Sequence, residues 1–373
     1  MTRSDLFTVM IGLTALVGEP LAVCAQAWQW AVGFQPYTQG NHARIDASTV
    51  DPMGNVIVMG ELQGTATFGT IQLTGPNMPT NALFVAKLSS AGQWLWAIEA
   101  DGLYPHVRAC GLDTDSAGNV YLACEMGTRA VQLGSLPPLP GSLMQHSVVA
   151  KLDPDGHWLS AQRVKLDGYY AALAIHPRTG SVLVMGDARI DTSRTRFPVT
   201  PVVPANADPH VLWDGFVASI SPTGHWQWVT RFGLGGEGRP LGRVWPRFLD
   251  VDPVTGDVIV GGENDYASIQ IGPDTLRNAG RSNTIHHRPT DIFTGRFNSV
   301  TGQGIKGLRL GGAGTDELLA MTVDARGQVS VAAAFGDSVL VVGGDTLVNP
   351  DYHRALPYPM QPYLAQAGPA GFV

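Results

Sequence analysis

Four acidic side chains recur at one position of a repeating pattern. Glu61, Glu125, Asp187 and Glu263 each lie seven residues after a turn glycine, and Ala334 takes that place in a fifth copy. Asp and Glu together are 31 of 373 residues, so four in one column of five is more than composition supplies. Carboxylates held at one level could bind a cation or sugar hydroxyls. Two of them, one protonated and one ionised, could also hydrolyse a glycosidic bond. Against this stands a structural reading in which each acid accepts backbone hydrogen bonds where its strand ends.

Aromatic residues offer a second kind of chemistry. Trp213 and Trp245 fall outside the repeat and Tyr104, Tyr169 and Tyr170 fall between its units, so these are the candidates for rings that face a ligand. Trp30, Trp96 and Trp228 follow the repeat, which predicts burial between units.

Other motifs are weaker. His286 and His287, with Asp291 nearby, are metal-ligand types without an HExxH or His-x-His spacing. Asp113-x-Asp115 and Asp250-x-Asp252 lack the full spacing and terminal Glu of a calcium loop, so turn capping is expected. Gly233-Leu234-Gly235-Gly236-Glu237-Gly238 lacks the Lys-Ser/Thr of a phosphate loop. No nucleophile elbow occurs, and neither Cys110 nor Cys124 has a partner His by motif. No metal site or cofactor is expected, with Ca2+ the one candidate that the acids leave open. The balance favours a binding module over an enzyme, with a carbohydrate-active hydrolase as the alternative.

The elements that must position these residues are short strands. Forty-five Gly and 26 Pro, 44% hydrophobic and 15% charged residues describe a folded chain rich in tight turns. Two signatures repeat. The first is a hairpin turn between apolar strands: Asp51-Pro52-Met53-Gly54-Asn55, Asp115-Ser116-Ala117-Gly118-Asn119, His176-Pro177-Arg178-Thr179-Gly180, Asp252-Pro253-Val254-Thr255-Gly256 and Asp324-Ala325-Arg326-Gly327-Gln328. The second is Phe84-Val85-Ala86-Lys87-Leu88, then Gly92 and Trp94-Leu95-Trp96. It returns at Val148 to Leu152 with Trp158, at Phe216 to Ile220 with Trp226 and Trp228, and degenerately at Phe293 to Phe297. A fifth copy begins at Tyr363-Leu364-Ala365-Gln366 and has no Trp strand after it, while Trp28-Gln29-Trp30-Ala31-Val32 is a Trp strand with no hairpin before it.

The two halves complete each other, which predicts an all-β fold. It is a single β-propeller of five blades, closed by pairing of the N-terminal strand with the C-terminal blade. The units fall near 46–102, 108–168, 171–236, 247–314 and 315–373 plus 28–34.

Gly311-Gly312-Ala313-Gly314-Thr315-Asp316 running into Thr322-Val323-Asp324 resembles the bacterial secreted β-propeller repeat, the SBBP repeat, as does Gly54 to Gly60 continuing through Phe68-Gly69 to Leu88. The resemblance covers essentially residues 28–373. It implies a radial β architecture in a secreted or surface setting, and the family has no common catalytic residues to carry over.

Residues 6–17 form an apolar run after Arg3, and Ala25-Gln26-Ala27 fits a small-x-small cleavage pattern, so residues 1–27 read as a signal peptide with Trp28 the mature start. A secreted, periplasmic or cell-surface location follows, with no transmembrane segment. In that oxidising setting Cys110 and Cys124 flank one hairpin turn and face each other give or take a bulge; they either form a disulfide or remain two buried thiols. A net charge of -7 with only Lys87, Lys151, Lys165 and Lys306 excludes nucleic acid, leaving a monomer that meets an extracellular protein or glycan.

Overall fold

Asp51 shows how each unit is started. Its Oδ1 accepts the backbone N–H groups of Met53 (2.9 Å) and Asn55 (2.8 Å), closing the turn around Gly54, whose φ is 79°. Asp115 and Asp324 bind the corresponding two N–H groups of their own turns. In the third turn His176 does the same work through Nδ1, which accepts from Arg178 and Thr179. The Lys of the second signature belongs to this turn too. Lys87 Nζ lies 2.8 Å from Asp51 Oδ2 with both side chains buried, and Arg296 reaches Asp252 from the same position of its unit.

The structure is a computed structural model that describes residues 30–33, 35–36, 42–76, 81–100, 108–126, 128, 130–141, 146–164, 168–188, 197–199, 213–234, 242–280, 289–350 and 360–367. Among these, every regular element is a strand, and no helix is long and apolar enough to cross a membrane.

The five turns join strands into five antiparallel sheets. The first holds β1 (His42–Val50), β2 (Val56–Gln63), β3 (Ala82–Leu88) and β4 (Trp94–Glu99). The second holds β5 (Arg108–Thr114), β6 (Val120–Met126), β7 (His146–Leu152) and β8 (Trp158–Val164). The third holds β9 (Gly168–Ile175), β10 (Val182–Ala188), β11 (Asp214–Ile220) and β12 (Trp226–Leu234), extended at the β12 edge by the small hairpin Ser268–Ile271 with Asp274–Arg277, and the fourth β13 (Val244–Val251), β14 (Val258–Asn264), β15 (Asp291–Phe297) and β16 (Gly304–Leu310). The fifth has three strands, β17 (Asp316–Val323), β18 (Val329–Phe335) and β19 (Gln361–Ala367). Small hairpins such as Thr65–Phe68 with Ile71–Thr74 lie between the second and third strands.

Each first strand carries a register shift five residues before its turn, at Asp46, Cys110, Ala171, Arg247 and Leu319. The bulge places Ala109, not Cys110, opposite Cys124, which is a buried free thiol. The Cys110 side chain lies outside the described residues.

Successive sheets pack through their faces. Apolar clusters join the first sheet to the second, the second to the third, the third to the fourth and the fourth to the fifth. The first strands of neighbouring sheets touch in the same order, β1 to β5 to β9 to β13 to β17.

A latch repeats at these junctions. Trp96 Nε1 donates to the Pro154 carbonyl in the next unit (3.0 Å), and Trp228 Nε1 donates to Ser299 (3.0 Å). Each indole lies on a turn glycine, Gly156 or Gly302, where a side chain would collide. Trp30 makes the same contact with the first unit, donating to Ser90 (2.8 Å) and lying on Gly92. Of the expected closing strand, residues 28–34, only residues 30–33 are described, and they form no strand; β19 pairs with β18 alone among the described residues.

Gly302→Ala measures this latch. A Cβ at Gly302 would stand 2.5 Å from Trp228 Cε3, in a residue whose φ is 72°. Gly343, with φ 61° and open space around it, loses only the backbone part on substitution by Ala, about 1–2 kcal/mol. Urea unfolding is expected to show a clearly larger loss for Gly302→Ala; equal losses would mean that the indole contact contributes nothing.

Candidate functional site

The acid column stands where each second strand ends, opposite the opening of the first strand. Register pairs Arg44 with Glu61, Arg108 with Glu125, Tyr169 with Asp187, Trp245 with Glu263, and Glu317 with Ala334. All four acids are buried. An unpaired carboxylate at that depth would be costly, so the partners decide the chemistry.

Those partners are arginines and N–H groups. Glu61 receives Arg44 Nη2 on Oε1 (3.0 Å) and Asn81 Nδ2 on Oε2 (2.6 Å). Asp187 receives both Nε (2.7 Å) and Nη2 (2.6 Å) of Arg243 on Oδ2. Glu263 is gripped by Arg247 through Nε (2.9 Å) and Nη2 (3.0 Å), and its Oε1 also accepts the Leu318 N–H (2.8 Å) from the fifth unit. Burial raises the Glu263 carboxyl above its usual range against those donors, and Glu317 adds to the rise. Glu125 stands in register with Ser147 as well as Arg108. For Glu61, Asp187 and Glu263 the arrangement is that of capped strand ends bonded to fixed donors.

The aromatic candidates converge on one arginine. The Arg243 guanidinium lies 4.4 Å from the Trp213 ring centroid, 5.6 Å from Tyr169 and 6.0 Å from Trp245. Tyr169 and Trp213 are parallel within 3°, with centroids 6.0 Å apart. Such geometry is that of cation–π attraction, and it fixes Arg243 while Asp187 takes two of its N–H groups. Its Nη1 makes no hydrogen bond among the described residues, and the side chain is 30% exposed. Tyr169 lies in β9 and Trp245 in β13, not in connecting loops, and Trp213 immediately precedes β11. Tyr170 is a core residue packed edge-on to Phe216. Tyr104, His286 and His287 lie outside the described residues. Arg243 was invisible to sequence reasoning, because no motif marks an arginine beside a glycine-rich connector.

A concavity lies at the other end of the sheets. A cleft of about 640 Å³ is lined by the turns of the first three units, including Asp51, Asp113, Asp115 and His176. Asp113 and Asp250, the Asp-x-Asp residues, stitch units together here. Asp113 accepts the Ile175 N–H of the third unit (2.7 Å), and Asp250 accepts that of Val323 in the fifth. Asp115 and Asp252 cap turns, as expected.

No family model matches the chain, and no curated protein does. Among solved structures it is similar to Kuenenia stuttgartiensis hydrazine synthase, at 11% identity and TM-score 0.39, over 80% of this chain and 79% of that one. It is also similar to a mutant of the Synechocystis apocarotenoid oxygenase, at 13% identity and TM-score 0.38, over 87% of this chain and 64% of that one. The quinohemoprotein alcohol dehydrogenase of Comamonas testosteroni matches at 11% identity and TM-score 0.31, over 76% of this chain and 55% of that one. None of these activities is carried over.

Burial raises the carboxyls of Asp113 and Asp250, so the folded chain holds their protons more tightly than the unfolded chain. Stability from this source is full below the ordinary carboxylate pKa of about 4 and is lost as pH rises through the raised values. The urea midpoint of Asp250→Asn is therefore expected to fall less than that of the parent between about pH 4 and neutrality. Equal slopes would show that Asp250 titrates as an ordinary carboxyl.

Proposed function

We propose that the chain is an exported five-bladed propeller of the SBBP-repeat kind that acts as a binding module, with an extracellular glycan as its ligand. One observation carries the binding reading: three column acids are each bonded to a guanidinium or an N–H, while beside Asp187 the rings of Trp213, Tyr169 and Trp245 surround an arginine with a donor to spare. A glycosidase needs two carboxyl groups about 5–9 Å apart facing one open pocket, with one free to give its proton. Acids so capped serve the scaffold instead. Flat aromatic faces suit the apolar faces of sugar rings, and Arg243 Nη1 suits a hydroxyl or carboxylate oxygen.

Closure of the ring is supported by Trp30. It lies on the first unit as Trp96 lies on the second and Trp228 on the fourth, which is the place of an outer strand from a preceding unit. The preceding unit in a five-membered ring is the fifth, whose sheet has room for a fourth strand beside β19.

Two measurements test these readings. A glycan array and a hydrolysis screen with residues 28–373 are expected to give binding without turnover, and Trp213→Ala to weaken that binding about tenfold or more. Turnover that disappears in Glu263→Gln would establish the hydrolase instead. For closure, Trp30→Ala is expected to lower the urea midpoint about as much as Trp96→Ala; an unchanged midpoint would leave the N-terminal segment outside the ring.

A further inference from the structure

We propose that Asp291, Asp316 and Asp337, at the junction of the fourth and fifth units, form an oxygen-donor site for a hard divalent cation of the Ca2+ type. The site lies one junction beyond the aromatic cluster and does not depend on what binds there.

The first support is an excess of buried charge. Asp291 and Asp316 are fully buried, and Asp337 is half-buried beside them. The two glycines of the Gly311-Gly312 pair run between the three acids. A Cβ at Gly311 would lie 2.5 Å from Asp316 Oδ2 and 2.7 Å from Asp291 Oδ1, and one at Gly312 would collide with Asp337 Oδ2. Among the described residues the one cation bonded there is Arg309, whose Nη1 reaches Asp291 Oδ2 at 2.9 Å. Three carboxylates against one guanidinium leave two negative charges, which a buried site does not tolerate uncompensated. In the absence of a counterion, burial and the charges of Asp291 and Asp337 push the Asp316 carboxyl up to about 7 despite the Gly312 N–H bond.

Unpartnered oxygens are the second, independent support. Asp291 Oδ1, Asp316 Oδ1 and Asp337 Oδ2 are buried and hydrogen-bond to nothing, and so does the hydroxyl of Tyr363, itself 7% exposed. Tyr363 stands opposite Ala333 in the sheet that Asp316 opens, and burial with the charges of Asp316 and Asp291 raises the pKa of its hydroxyl. Buried polar atoms are ordinarily satisfied, so several orphans around one point mark a missing partner that accepts oxygen lone pairs.

The third support is an internal control that the repeat supplies. At the preceding junction Asp214 and Arg231 occupy the places of Asp291 and Arg309. There the positions of Asp316, Asp337 and Tyr363 are held by Val244, Tyr266 and Phe293, and Tyr266 closes the junction by donating to the Trp213 carbonyl (2.9 Å). There the Asp214 carboxylate is bonded to Arg231, with Asp265 as a further acid near Tyr266. The later junction carries an acid in place of Val244 and of Tyr266, and a hydroxyl in place of the Phe293 ring edge. As the side chains stand, no three acids meet at metal-binding distance. Asp337, at the rim and without a hydrogen bond among the described residues, is the ligand that swings in.

The test uses residues 28–373 stripped with a chelator and titrated with CaCl2 by calorimetry, with thermal unfolding in parallel. The expected result is saturable binding with a Kd of about 10⁻⁵ to 10⁻³ M and a midpoint that rises with Ca2+. Asp316→Asn is expected to weaken binding at least about tenfold. The triple variant Asp316→Val, Asp337→Tyr and Tyr363→Phe carries the side chains of the preceding junction and is expected to fold while losing the Ca2+ response. No binding at about 10 mM Ca2+, or a response that survives in the triple variant, would overturn the site. So would a chain that acid stabilises and Ca2+ leaves unchanged, since protons would then be the counterions.

Discussion

Both faces of the central strands in the first, third and fourth sheets are buried, and that constraint organises much of the rest. β3, β10, β11, β14 and β15 have no exposed residue along their length. A sheet with two apolar faces cannot stand at a surface, so both faces need cover, and the chain supplies neighbours by repeating the unit. The clusters that join consecutive sheets are the direct consequence. So are the latches, because an indole that bridges to the next unit must find a turn with no side chain in its path.

Under that constraint, the column acids and turn acids have their partners built in. Lys87 with Asp51, Arg243 with Asp187 and Arg247 with Glu263 are all pairings across strands or units, each satisfying a charge that burial would otherwise penalise. The repeat therefore provides a scaffold of matched groups, and its departures stand out against it. Tyr169 and Trp245 oppose the column acid where the first two units have arginines, and only there do Trp213 and Arg243 gather. A series of near-identical units gains one distinctive patch from a few substitutions.

Much of this was legible beforehand in residue types. Turn chemistry at Asp51, Asp115 and Asp324 requires only a side-chain acceptor and a glycine with positive φ, both local, so the hairpins and their number could be read directly. The acid column was visible for the same reason, since a fixed distance from a turn is a fixed place on a strand. The meaning of the column was not visible. Whether Glu263 is a catalytic acid or a capped strand end depends on Arg247 and on an N–H of another unit, and spacing along one chain carries no record of either.

Sequence alone therefore determined the all-β character, the strand boundaries near each turn and the repetition, because these follow from short apolar runs and turn residues within a few positions of each other. Tertiary structure decided which side chains face one another: that a bulge sets Ala109 rather than Cys110 against Cys124, and that Tyr169, Trp213 and Trp245, spread over three strand openings, share one arginine. Such meetings depend on register and on packing between units, which are settled by the burial of whole faces and not by any short stretch of chain.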